Sequence, residues 1–139
     1  MTTDSSQQPD AQVAGVDAKL ARSGKISYIQ IAAADVQRSG DFYAEVFGWN
    51  VSPASSAAHR SFEDSSGDIA GAFVTTLTAG TGDGVLPYIY VRGIDAIVRK
   101  IEANGCEIVR AVYPEGDLWV ATFRDPAGNV IGIWQAGPR

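Results

Sequence analysis

The sequence predicts an α+β fold of two pseudo-symmetric βαβββ modules that form an open, cup-shaped sheet with the helices outside. Three observations carry this. A β-prone segment is followed by an amphipathic helical stripe twice along the chain. The stretch Phe62 to Phe73 recurs, aligned without a gap, as Phe123 to Trp134. Each copy holds an Asp-x-x-Gly turn, in which Asp hydrogen-bonds nearby backbone and Gly takes positive φ.

In chain order, residues 1–24 are rich in Ser, Gln, Asp, Ala and Gly and cannot bury enough surface to offset ordering, so a flexible tail is expected. A single domain is expected over 25–136, with module 1 over about 25–77 and module 2 over about 85–136. Ile26 to Ile31 reads as a strand, and Asp35 as the N-cap of a helix carrying Val36, Tyr43, Val46 and Phe47 that Gly48 ends. Strands follow near Val51, at Ala58 to Phe62 and at Ile69 to Thr75, before the glycine-rich connection Thr78 to Gly84. The cycle repeats with strand Leu86 to Val91, the stripe Ile94, Ile97, Val98 and Ile101 closed by Asn104-Gly105, and strands near Glu107 to Val112, Leu118 to Phe123 and Asn129 to Gln135.

Strand alternation divides the side chains between a helix side and a cup side. On the first strand Ile29 and Ile31 suit the helix side, leaving Tyr28 and Gln30 in the cup; on the fifth, Ile89 and Val91 leave Leu86, Tyr88 and Tyr90. The gapless repeat places Ala70, Ala72 and Val74 toward the helix, with Ile69, Gly71 and Phe73 in the cup, matching Val130, Gly132 and Trp134. The expected ligand-binding pocket is therefore Tyr28, Gln30, Gly71, Phe73, Leu86, Tyr88, Tyr90, Gly132 and Trp134. Gln30 is either a ligand contact or a polar residue on a wet wall. Gly71 and Gly132 either leave room for a ligand or allow close backbone approach. The face of Trp119 is open, and Trp49 reads as core or dimer contact.

At 139 residues and 45% apolar composition, the chain can build one core. A net charge of −5 and a pI near 4.7, with no basic cluster, exclude a phosphate backbone as the natural partner, so no nucleic acid is expected. No apolar run approaches the roughly 18 residues needed to span a bilayer, and Met1 to Asp10 lacks a signal peptide's regions; no membrane partner and a cytoplasmic location are expected. Cys106 is the single cysteine and reads as a small buried apolar residue; His59, the single histidine, reads as structural. No Ser-His-Asp set stands out, and Gly80, Gly82 and Gly84 lack the Lys-Ser/Thr of a phosphate loop. Asp64 and Asp125 are explained by their turns.

The run Asp35-Val36-Gln37-Arg38-Ser39-Gly40-Asp41-Phe42-Tyr43-Ala44-Glu45-Val46-Phe47-Gly48-Trp49 resembles the first-helix signature of the vicinal oxygen chelate superfamily, as Phe123-Arg124-Asp125-Pro126-Ala127-Gly128-Asn129-Val130 resembles the segment before its last strand. This group includes glyoxalase I, extradiol dioxygenases and metal-free proteins that sequester antibiotics. The resemblance implies a divalent metal on four inward His, Glu or Gln side chains, whose positions fall here on Tyr28, Gly71, Leu86 and Gly132. That set cannot hold such a metal, so no metal, no other cofactor, and neither glyoxalase I nor extradiol dioxygenase activity is expected. The resemblance further implies a homodimer. Three functions stand: a metal-independent protein binding a small hydrophobic or planar molecule in the cup, a metal-independent lyase- or isomerase-like enzyme using Tyr28 or Gln30, and a non-catalytic interaction module.

Overall fold

The computed structural model describes residues 17–139. The element order is β1 (Tyr28–Ala32), α1 (Val36–Phe47), β2 (Asn50–Val51), β3 (His59–Glu63) and β4 (Ala70–Val74), then β5 (Tyr88–Tyr90), α2 (Ile94–Ala103), β6 (Ile108–Glu115), β7 (Leu118–Arg124) and β8 (Val130–Ala136). Each half is strand, helix and three strands, as expected. Each builds one four-stranded sheet, ordered β1-β4-β3-β2 and β5-β8-β7-β6, in which the first pair is parallel and the others antiparallel.

The helices start and stop for local reasons. Asp35 caps α1 by accepting from Gln37 N at 3.0 Å and Arg38 N at 3.2 Å, worth about 1 kcal/mol, and Gly48 ends it at φ 70°. Gly93 gives α2 no side-chain cap. The cap comes instead from β8, where buried Gln135 accepts from Ile94 N at 2.8 Å and donates to Pro138 O at 2.7 Å.

A single core joins both halves. Tyr43, Phe62, Phe73, Ile94, Ile101, Phe123 and Ile133 belong to one buried cluster, and the α1 rings of Phe42 and Phe47 reach Phe123 of β7 at 5.9 and 5.8 Å. Trp49 is core, stacked between Tyr43 (4.6 Å) and Phe62 (4.8 Å). The polar lock lies beside it. Asp125 accepts from Tyr43 Oη at 2.8 Å, and Asn129 donates through Nδ2 to Ala32 O at 2.8 Å while Gly80 N donates to its Oδ1 at 3.0 Å. One turn thus ties β1, α1 and the connection between the modules to the second sheet.

The gapless repeat is corrected by the register. Asp125 N closes its turn on Asn129 O, whereas Asp64 N closes on Ile69 O, so the first turn holds one more residue. Since strand side chains alternate, one residue turns everything after it to the other face. Phe62 therefore pairs with Gly71, while its counterpart Phe123 pairs with Ile131. Ala70, Ala72 and Val74, expected on the helix side, lie beside Tyr28, Gln30 and Ala32 on the open face; Gly71 and Phe73 lie beside Ile29 and Ile31 under the helix.

Of the flexible tail expected over residues 1–24, residues 1–16 lie outside the described residues. Residues 17–24 begin with a turn in which Leu20 N donates to Asp17 O, and Lys19 Nζ reaches Ser66 O at 3.2 Å. Lys25 Nζ donates to Asp68 O beside it.

Candidate functional site: two open sheet faces

Each sheet has one face against its helix and the other open. On the second sheet, strand pairing orders the open face into two rows running across all four strands. One row is Tyr88, Gly132, Thr122 and Arg110; the next is Tyr90, Trp134, Val120 and Tyr113. Tyr88 and Tyr90 are 45% and 52% exposed, large values for aromatic side chains on a sheet. The ring of Tyr88 lies over Gly132, where an added Cβ would stand 2.3 Å from it, so the glycine is needed for that ring position. Tyr90 meets Trp134 edge to face at 4.8 Å.

Arg110 and Tyr113 would fall on opposite faces of a regular strand. Two register shifts in β6, between Ile108 and Arg110 and again between Arg110 and Tyr113, insert extra residues and bring both to the open face. The Arg110 guanidinium lies 3.5 Å from the Tyr113 ring centroid. Partial desolvation raises the Tyr113 phenol, Arg110 opposes this, and Glu115 and Tyr88 add to it, so these groups share one neighbourhood. Sequence reasoning missed Arg110 and Tyr113 because a bulge leaves no clear mark in the residue pattern.

The first sheet presents different chemistry. Its open face holds Tyr28, Ala70, Glu63 and Asn50 in one row and Gln30, Ala72 and Ser61 in the next. A groove of about 400 Å³ lies there, lined by Tyr28, Asn50, Ser52, Ser61, Glu63 and Ala70 among others. Tyr28 is 54% exposed.

Of the residues expected to point into the cup, Phe73 points into the core, and Gly71 lies on the helix side of β4 while its backbone still lines the first-sheet groove. Phe73 is fully buried, stacked with Tyr43 at 5.4 Å and tilted on Phe62 at 4.8 Å. Gly71 gives space to the Phe62 ring, which would stand 2.5 Å from an added Cβ. Tyr28 and Gln30 lie on the first open face, and Tyr88, Tyr90, Gly132 and Trp134 on the second. Leu86 precedes β5, with its side chain and that of Val130 both against Gly82. Among the described residues, the side-chain links between modules, such as Tyr43 to Asp125 and Arg38 to Asn104, lie away from both open faces. Trp119, whose face the sequence left open, pairs with buried Gln135 on the helix side, under the Arg139 guanidinium at 4.9 Å.

The donor chemistry does not suit a divalent metal. Register sets Tyr28 beside Ala70, not Gly71, and Leu86 shares its neighbourhood with Val130, so the implied ligand positions offer one phenol and apolar groups. Among the described residues, no group of three or more His, Cys, Asp or Glu side chains could hold a metal ion. His59, the first residue of β3, hydrogen-bonds Ser55 Oγ of the preceding loop at 3.2 Å. Burial raises the Cys106 thiol, with Arg38 opposing, which disfavours the nucleophilic thiolate. Burial likewise raises the Asp125 carboxyl against four hydrogen bonds that lower it, from Asn129 side chain, Tyr43, Asn129 N and Ala127 N.

A family model described as Glyoxalase/Bleomycin resistance protein/Dioxygenase superfamily matches residues 25–133. The "Putative glyoxylase CFP32" of Mycobacterium tuberculosis is 27% identical over 124 residues, covering 83% of this chain and 47% of that protein. The "Anthracycline biosynthesis protein DnrV" of Streptomyces peucetius is 24% identical over 133 residues, covering 82% and 48%. The chain thus spans about half the length of the curated relatives it matches. Among solved structures, TnmS3, an antibiotic binding protein from Streptomyces sp. CB03234, shares the fold with a TM-score of 0.62 and 18% identity, covering 82% of this chain and 97% of that one. No described helix is long and apolar enough to cross a membrane.

Proposed function

Because the chain belongs to the Glyoxalase/Bleomycin resistance protein/Dioxygenase superfamily, we propose that it is a metal-independent member that binds a small, planar, largely apolar molecule on its open sheet faces. The observation that carries this is the second sheet's open face. Tyr88, Tyr90 and Trp134 stand there partly solvated, the Tyr88 ring laid over Gly132 and the small Thr122 beside it. Aromatic side chains normally complete a core or an interface, and offset stacking on a planar ligand adds about 0.5–1.5 kcal/mol per ring pair beyond burial. The likeness to TnmS3, described as an antibiotic binding protein, supports the same reading.

The exposed open faces also favour a homodimer. Tyr28 on the first sheet and Tyr88 and Tyr90 on the second are each about half exposed, and a second copy laid over them would enclose the ligand between two sheets. Enzymatic turnover is the weaker reading. Among the described residues, the Ser55–His59 hydrogen bond at the start of β3 has no acid on the imidazole, the Tyr113 phenol meets only Glu115, and Tyr28 and Gln30 are both exposed without a base hydrogen-bonded to them.

Native mass spectrometry of the protein purified from its native host tests the proposal in one measurement. The expected spectrum shows a dimer carrying a small organic compound and no transition metal. About one tightly held transition metal per chain would overturn the metal-independent reading. A bare chain that binds none of a panel of planar compounds would overturn the ligand reading.

A further inference from the structure

We infer that the open face of the second sheet selects planar molecules carrying an anionic group, and that Arg110 is the residue that anchors the anion. This rests on the small-molecule reading above and goes further, in assigning the ligand a charge and that charge a contact.

The geometry comes from the two rows. Tyr88 and Tyr90 stand on β5 at one edge of the sheet, and Arg110 and Tyr113 on β6 at the other. At about 4.8 Å per strand, the three steps set the edge backbones roughly 14 Å apart, and the Tyr88 ring leaning over Gly132 shortens the span between side chains to the scale of a planar ring system with an acidic substituent at its end. Between them the first row carries the Tyr88 ring over Gly132 and then the small Thr122 beside Arg110.

Arg110 is a cation within the face itself that is free to meet such a substituent. The ion pairs among the described residues join Arg60 to Asp41, Arg124 to Glu107 and Arg139 to Asp95; Arg110 takes part in none of them and in no side-chain hydrogen bond. Its guanidinium is packed on the Tyr113 ring, and a planar group held flat keeps its N–H edge available while losing less freedom on binding. The acid nearest in sequence on that face, Glu115, is occupied at the phenol, accepting from Tyr113 Oη at 3.3 Å. The double bulge in β6 brings Arg110 and Tyr113 together on this face.

The protein's net charge of −5 makes the inference discriminating, because the overall field repels anions and only a local group can reverse that preference. The test is a titration of two fluorescent probes of similar shape, anilinonaphthalene sulfonate, which is anionic, and phenylnaphthylamine, which is not. The wild type should bind the sulfonate roughly 10–100-fold more tightly, the range of a charge-assisted hydrogen bond. Arg110→Gln should abolish that preference with little change in melting temperature, since Arg110 is exposed, and Arg110→Lys should restore part of it. Added salt should weaken the sulfonate alone. Equal affinities in the wild type, or a preference that survives Arg110→Gln, would overturn the anion assignment and leave the small-molecule reading standing. Failure of both probes to bind would overturn both.

Discussion

Phe73 and Trp134 separate the core from the candidate site, and truncating each reads out the register shift. The gapless alignment makes them equivalent; the structure makes them opposites. Phe73 is fully buried between Tyr43 and Phe62, so Phe73→Ala removes two ring contacts and leaves a void that the sheet and helix cannot close, at a cost of about 3–5 kcal/mol. In a chain of this length that corresponds to a melting-temperature drop of roughly 10–20 °C. Trp134 is only partly buried and has Tyr90 as its single ring partner, so Trp134→Ala should cost about 1–2 kcal/mol, or roughly 3–8 °C. Circular-dichroism melts of the two variants give the comparison, and titration with a planar ligand should show affinity lost in Trp134→Ala. Equal losses of stability would refute the face assignment, and a large loss at Trp134 with unchanged affinity would refute the site.

Two further outcomes follow from buried polar groups. Burial holds the Asp125 carboxyl above the usual carboxylate range in the folded state, so the unfolded chain ionises first and ionisation opposes folding. That contribution is fully present below the unfolded value near 4 and is lost as pH rises through the folded one, so Asp125→Asn, which cannot ionise, should be most destabilising at acid pH, with the gap to wild type narrowing toward neutrality. Urea titrations across that window check it, and a gap that widens with pH would show that the hydrogen bonds outweigh burial. Gly40→Ala ordinarily stabilises a helix by about 1 kcal/mol, yet here the new Cβ would stand 2.5 Å from Arg60 Nη1. Arg60 cannot yield, because Ser52 O, Gln37 O and Asp41 hold it at 2.8, 2.8 and 3.0 Å; a net loss of about 1–3 kcal/mol is expected by thermal melt, and a gain would refute the clash.

The order of elements was legible because each has a local cause: Asp35 and Gly48 bracket α1, and the stripe Ile94, Ile97 and Ile101 marks α2. The open face of β5 was also legible, since alternation holds in a regular strand. The open face of β4 was not. Its register depends on the length of one turn, and Asp64 to Asp68 resembles Asp125 to Asn129 too closely for the extra residue to be placed by inspection. Gly71 and Phe73 went to the wrong face for that reason alone. That Tyr88, Tyr90 and Trp134 share one open face was legible from alternation, while Arg110 and Tyr113 lay behind two bulges. Gln135 as the distant cap of α2 and Arg60 as a buried clamp are tertiary features that neither period nor propensity encodes.

The turn residue Asn129 has a consequence for how the chain folds. Its bond to the Ala32 carbonyl spans 97 residues of sequence, and its side-chain oxygen holds Gly80 in the connection between the halves. Neither contact can form inside one half alone. The repeat invites a picture of two autonomous folding units joined by a tether, yet Asn129 gains Ala32 and Gly80, and Asp125 gains Tyr43, only when both halves are assembled. These contacts couple the two halves, so the entropy of closing that long loop is offset only by bonds that both halves make together.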